Sequence, residues 1–322
     1  IAGLVGVGFI FIFAVIGPML HNREPNTLHL DYKNVPPRLT VYSLDEDYDV
    51  FMSEMYHLML VSEDGELLDR FELADDDKDL INRTYTYRLF DDEENELAVV
   101  VADFTYQTDP VKKLEGIDYS LTYKGTEIKE ASYQTWNTSF YLGTDNNGRD
   151  LLARVMYGTG ISLIIAFVAA IINLFIGVIY GSVAGYTGGN TDIVMMRIVD
   201  IINSIPLLLY VILLSVVLKD SWVEHNILDA IFGAGGLGTI ILTLVTVYWV
   251  GMARLVRGQI LGLKEQEYIL AARTIGVPNR KIISKHLVPN ALGPIIVSMT
   301  MMIPSAVFTE AFLSFIGLGI SA

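Results

Sequence analysis

Five long apolar runs punctuate the chain: residues 1–20, 160–185, 205–218, 239–256 and 291–312. A helix needs about 20 predominantly apolar residues to cross a bilayer, so this spacing predicts a polytopic membrane protein. The first run is too long for the core of a signal peptide and is followed by no small-residue cleavage pattern, so it reads as a retained span. It is broken near Gly17-Pro18, and Ile1 already lies inside the run, which places the natural start upstream. Between the first and second runs the pattern changes. Residues 21–141 are polar, with short β-branched and aromatic stretches at 38–42, 56–61, 84–90, 97–104 and 119–123 that predict strands. Glu63-Asp64-Gly65-Glu66 and Lys124-Gly125-Thr126 are turn signals between them. About 120 residues suffice for a modest core, so a small β-rich domain is expected there.

Charge sharpens this division. Net charge is −15 over 322 residues. Residues 22–140 hold 11 Lys and Arg against 27 Asp and Glu, while the remainder holds 11 against 10. The acidity belongs to the insert. Asp75-Asp76-Asp77 and Asp91-Asp92-Glu93-Glu94 could attract calcium, but no Asp-x-Asp-x-Asp-Gly loop is present, and solvated turns are the expected reading. There is no cysteine, so disulfides, thiolate metal sites and cysteine nucleophiles are excluded.

Basic residues set the orientation. Arg254, Arg257, Lys264, Arg273, Arg280, Lys281 and Lys285 lie between the fourth and fifth runs, against Glu265 and Glu267. The positive-inside bias puts this loop in the cytoplasm. Counting back through the spans makes the N-terminus cytoplasmic and the acidic insert extracytoplasmic. The loop is also patterned. Residues 267–273 are good helix formers, Gly276 suits a helix C-terminus, and Pro278 suits the start of a second short helix. In the second run Gly177, Gly181 and Gly185 recur every four residues and share one helix face, a packing stripe for a neighbouring helix. The Met195-Met196 pair before the third run reads as packing. Pro304 is expected to kink the fifth run, and Glu310 near its end is a candidate for the translocation pathway, since intramembrane acids are costly.

Several of these motifs resemble one family. In Glu267-Tyr268-x-x-Ala271-Ala272-Arg273-x-x-Gly276, followed by Pro289, Ala271, Ala272, Gly276 and Pro289 match the cytoplasmic loop signature of permease subunits of ATP-binding-cassette importers. Leu270 stands where that signature usually has Glu, as is common in the oligopeptide/dipeptide branch. Gly143-Thr-Asp145-x-x-Gly148-Arg149-Asp150 and the segment 310–319 also resemble that branch.

The resemblance implies an all-α polytopic membrane protein of the type I ABC importer permease fold, with five spans visible and a sixth expected. It carries an inserted small β-rich extracytoplasmic domain. The domains are then residues 1–20, a first transmembrane helix; 21–141, the acidic insert; and 142–322, the permease domain with a cytoplasmic coupling loop at 257–290. The resemblance further implies a multi-pass cell-membrane subunit that imports oligopeptides, pairs with a homologous second permease and works with two ATPases and an extracytoplasmic peptide-binding protein. Residues 267–290 would dock on an ATPase, with Ala271, Ala272 and Gly276 allowing close approach and Glu267, Arg273 and Pro278 completing the surface. The chain itself binds no cofactor, ATP and Mg residing on the ATPases, and no nucleic acid. Dipeptides or nickel chelates are alternative cargoes. The rival from another class is a membrane-anchored sensor or interaction protein working through the acidic domain. Enzyme motifs point elsewhere: Gly233-Ala-Gly-Gly-Leu-Gly238 lacks the Lys-Ser/Thr of a phosphate loop, and no His-Glu-x-x-His or Gly-x-Ser-x-Gly occurs.

Overall fold

The computed structural model describes residues 2–21, 23–90, 95–219, 221–233 and 236–319. It divides into two compact units, residues 1–158 and 159–322.

The first unit opens with helices α1 (Ala2–Val15) and α2 (Gly17–Leu20), the latter accommodating Pro18 in its first turn, where a missing N–H costs nothing. Ten strands follow: β1 (Arg38–Ser43), β2 (Asp49–Met52), β3 (Leu58–Val61), β4 (Leu67–Arg70), β5 (Lys78–Asp79), β6 (Thr84–Phe90), β7 (Glu96–Asp103), β8 (Ser120–Tyr123), β9 (Thr126–Ile128) and β10 (Tyr133–Trp136). They form two antiparallel sheets ordered β10-β1-β2-β3-β4 and β5-β6-β7-β8-β9. Local chemistry sets the turns. Gly65 takes φ +79° between β3 and β4, and Lys124 and Gly125 are both left-handed (φ +47° and +82°) in the two-residue β8–β9 hairpin. Left-handed backbone at both central positions matches the right-handed twist of the strands.

The two sheets share a core of Val50, Met52 and Leu58 from one with Tyr87, Val100 and Leu121 from the other. The opposite face of the first sheet, bearing Leu39, Val41, Phe51 and Met59, is covered by Val35 and Phe140. Tyr87 is fully buried, and its hydroxyl donates to the Tyr56 carbonyl at 2.8 Å, so its polar atom is satisfied. Burial pushes this phenol far above its ordinary pKa.

The turn at 143–150 is held by one carboxylate. Asp145 accepts from the backbone N–H groups of Asn147 (2.9 Å) and Arg149 (3.0 Å), from Arg149 Nε (2.9 Å) and from Arg154. Burial pushes its pKa up, but the N–H donors and the Arg149 guanidinium outweigh burial and leave it below the usual value. A carboxyl depressed in the folded state stabilises fully above its unfolded pKa of about 3.9, and that contribution is lost as pH falls through the folded value. Asp145→Asn should therefore flatten the acid limb of a thermal-unfolding profile below about pH 4. An unchanged acid limb would remove Asp145 from this role.

The second unit is helical. Helix α3 (Leu151–Thr187) begins in the first unit and runs into the second, followed by α4 (Gly189–Asn203), α5 (Leu207–Leu218), α6 (Asp229–Phe232), α7 (Leu237–Leu263), α8 (Glu267–Thr274), α9 (Asn279–Ile282) and α10 (Val288–Phe315). Single π-helical turns occupy Glu224–Leu228 and Ile283–Leu287. Helix α10 remains helical through Pro294 and Pro304.

Two expectations need correction. The fold is not all-α: ten strands in two five-stranded sheets occupy the N-terminal half, far more than a small insert in a helical protein. Among the described residues five full spans are also not found: three helices are long and apolar enough to cross a membrane, those containing residues 151–187, 237–263 and 279–315, or up to four if the α4–α5 pair is one broken span. Helix α1 is a shorter apolar helix. The predicted third span, 205–218, appears as the 12-residue helix α5, opened by Pro206, whose extended ψ of 125° and missing N–H set it off from α4 at a bend of 82°.

Candidate docking hairpin

Helices α8 and α9 form the polar hairpin between α7 and α10. Glu267 sits in the first turn of α8 and Arg273 in its last, both favourable to the helix dipole. The helix ends in a Schellman motif: Val277 N–H donates to the Ala272 carbonyl (3.0 Å) and Gly276 N–H to that of Arg273 (2.9 Å). This requires the left-handed φ of +85° at Gly276, which glycine adopts without strain. Pro278, extended, then caps α9.

One face of the hairpin is bolted down. Ile269, Ile282 and Leu287 are fully buried against Met252, Val256 and Ile260 of α7 and Ala291 and Ile295 of α10. An eight-residue helix is not stable alone in water, so this apolar seam is what keeps α8 formed. Polar bonds fasten it further. The Arg273 guanidinium lies 4.9 Å from the Tyr186 ring, the Tyr186 hydroxyl donates to Asn279 Oδ1 at 2.7 Å, and Lys264 Nζ donates to the Gly185 carbonyl at 3.0 Å. The other face is bare and partly apolar: Leu270 is 50% exposed, Ile275 81%, with Tyr268 and Ala271 beside them. Glu267, Arg273, Gly276 and Pro278 are exposed as well, Ala272 is half-buried in the seam, and the space where a Gly276 side chain would project is open.

The glycine stripe lies against α7. A Cβ on Gly177 would come within 2.5 Å of Met252, on Gly181 within 2.4 Å of the Ala253 carbonyl, and on Gly185 within 2.9 Å of the Arg257 carbonyl. Glu310 is buried, its two carboxylate oxygens accepting from Ser162 (2.6 Å) and Ser314 (2.8 Å). It therefore bridges α3 and α10 and stands apart from the hairpin.

Two ion pairs connect α4 to α7 that sequence reasoning missed. Arg257 makes a bidentate pair with buried Asp192 (3.0 and 2.6 Å), and Arg254 reaches Asp200 at 2.8 Å. Read along the sequence, both arginines simply counted toward the basic loop. A sharper signal was available: opposite charges at one helix edge, recurring at roughly one-turn multiples on α4 (Asp192, Asp200) and α7 (Arg254, Arg257). Of the acidic clusters, Asp75 pairs with Lys78 and Asp77 with Arg88, whereas residues 91–94 lie outside the described residues, as do Ala234 and Gly235 of the glycine-rich loop.

Residues 177–321 match the family of binding-protein-dependent transport system inner membrane components. The chain is 46% identical over 205 residues to the oligopeptide transport system permease protein OppC of Bacillus subtilis (strain 168), covering 64% of this chain and 61% of that protein. It is 50% identical over 182 residues to the dipeptide transport system permease protein DppC of the same organism, covering 56% of this chain and 52% of that one. The chain thus spans little more than half the length of these curated relatives. Among solved structures, the MetNI methionine ABC transporter in inward-facing conformations aligns at a TM-score of 0.37 and 24% identity, over 49% of this chain and 72% of the other. The hairpin and the helices that anchor it accordingly lie in the segment, residues 177–321, that matches the family of binding-protein-dependent transport system inner membrane components, in a chain similar to the OppC and DppC permeases.

Proposed function

We propose that this chain is a permease subunit of an ATP-driven peptide importer and that its 267–290 hairpin couples it to a cytoplasmic ATPase. The observation that carries the reading is the two-faced hairpin: a buried seam continuous with the α7–α10 packing and a bare face with exposed Leu270 and Ile275. A force applied to the bare face would reach α7 and α10 through Ile269, Ile282 and Leu287, which pack in one buried cluster with both helices. Such a device fits alternating access, in which nucleotide state shifts the balance between two arrangements of the spans. ATP and Mg would sit on two ATPase partners, a second homologous permease would complete the pathway, and an extracytoplasmic peptide-binding protein would deliver cargo. The basic loop would face the cytoplasm and the acidic sheets the outside. Similarity to both an oligopeptide and a dipeptide permease supports peptides as the cargo class.

Gly276→Val tests the coupling. A β-branched residue at φ +85° is strained by about 1–2 kcal/mol, which misdirects the turn while open space around the site spares the rest of the fold. The expected result is normal membrane abundance, loss of ATP-driven peptide uptake by the assembled transporter, and reduced recovery of the ATPases in mild detergent. Wild-type uptake by this variant would refute the hairpin's role. Purification of the wild-type chain with only extracytoplasmic partners would instead favour a sensor working through the acidic domain.

A further inference from the structure

The first unit contains a cavity of about 510 Å³ that the transport reading does not use. Its lining includes Arg23 and Glu24, just after α2, together with His29, Tyr32 and Phe140. Its size falls within the usual range for small-molecule sites. Three features make it more than a crevice. The rings of His29, Tyr32 and Phe140 contact one another pairwise, with centroids 5.5–6.3 Å apart, and so form a fixed aromatic corner. The Arg23 guanidinium carbon lies over the ring of buried Phe140, 4.2 Å from its centroid, in cation–π contact. Finally, neither Arg23 nor Glu24 makes an ion pair among the described residues, although neighbouring His21 is tied to Asp150 at 2.8 Å.

A guanidinium takes a carboxylate or phosphate, and a carboxylate in a pocket with aromatic rings takes an ammonium. We propose that this cavity binds a zwitterion carrying a primary ammonium and an oxyanion, Arg23 holding the oxyanion and Glu24 with the aromatic corner holding the ammonium. Two sources share this chemistry: a free peptide with both termini charged, and an ethanolamine phospholipid headgroup. The site is independent of the coupling hairpin.

The test uses the full chain in nanodiscs made only of phosphatidylglycerol, which supplies no amine. Equilibrium dialysis measures binding of radiolabelled trialanine and, separately, of glycerophosphoethanolamine. Saturable binding is expected for at least one probe, and which one binds identifies the source. Arg23→Ala should weaken it about tenfold or more, as for a lost charged hydrogen bond, and Glu24→Gln should also weaken it, with Arg23→Lys in between. If trialanine is the ligand, its N-acetylated and C-amidated forms should each bind more weakly. Both substitutions lie at exposed positions, and an unchanged melting temperature verifies folding. Absence of saturable binding by both probes, or binding insensitive to Arg23→Ala and Glu24→Gln alike, would overturn the proposal.

Discussion

Gly181→Leu should cripple the folded membrane unit. The substituted Cβ would lie 2.4 Å from the Ala253 carbonyl, 2.9 Å from Val256 Cβ and 3.0 Å from the Arg257 N. Two of these neighbours are backbone, so no rotamer change relieves the clash, and α3 and α7 must separate. Overpacking of a tight interface costs about 3 kcal/mol at the upper end of the common range, and backbone contact puts this site there or beyond. Separation would also loosen the seam that shares α7, since Val256 packs against the hairpin anchors. The fitting control is Gly258→Ala on α7, where the added methyl meets no atom within 4 Å and gains helix propensity of about 1 kcal/mol. A detergent melting curve should show the first variant far below wild type and the second at or above it. Equal melting of Gly181→Leu and wild type would mean that the glycine stripe is not a packing contact.

The contrast between these glycines explains what could be read in advance. A four-residue repeat marks a helix face whatever the partner, so Gly177, Gly181 and Gly185 were identifiable in the chain, whereas the identity of the partner, α7, was not. The hairpin was legible for the same local reason: helix formers, then a glycine able to take positive φ, then a proline. Strands followed a similar rule. The stretches at β1, β6 and β8 alternate or are rich in β-branched and aromatic residues, and each appears close to its expected place. Strand β2 was missed because Val50, Phe51 and Met52 are all buried, on both faces of a covered sheet, which removes the alternation that marks a half-exposed strand. Strands β9 and β10 are short edge strands with exposed positions; β9 follows β8 through a local two-residue turn, whereas the pairing of β10 with β1 joins residues nearly 100 positions apart, as in Arg38 with Trp136.

The misreadings share a cause. Hydropathy measures composition over a window and is blind to where a helix bends. Residues 205–218 are apolar enough to suggest a complete span, yet Pro206 separates α5 from α4, and α5 alone has 12 residues. Ion pairs between helices are likewise invisible to a running sum of charge. Arg257 counted as one more cytoplasmic cation, but its guanidinium closes on Asp192, a residue 65 positions earlier. The first case turns on a single proline that a hydropathy window averages over, the second on charges spaced along two helices that a running sum does not register.

Ile269→Ala and Leu270→Asp, adjacent on α8, should separate anchoring from docking. Ile269 is fully buried in the seam, and truncating such a side chain costs about 2–5 kcal/mol. The helix has eight residues and little intrinsic stability, so the loss should be concentrated in the hairpin itself. Amides of 268–276 and 281–287 should then exchange faster in hydrogen-exchange measurements on the purified chain, with the sheets of the first unit unaffected. Leu270 is half exposed, and a change there should move stability by no more than about 0.5 kcal/mol. Exchange should stay at the wild-type rate in Leu270→Asp. Yet a carboxylate in the centre of the bare face, beside Tyr268 and Ile275, should block burial against an apolar cleft, because an unpaired charge is costly to desolvate. ATP-driven peptide uptake should therefore fall in both variants, by unfolding of the hairpin in one and by failed docking of an intact hairpin in the other. Retained uptake in Leu270→Asp would show that the exposed apolar face is not the contact, and retained exchange protection in Ile269→Ala would show that the seam does not hold the hairpin.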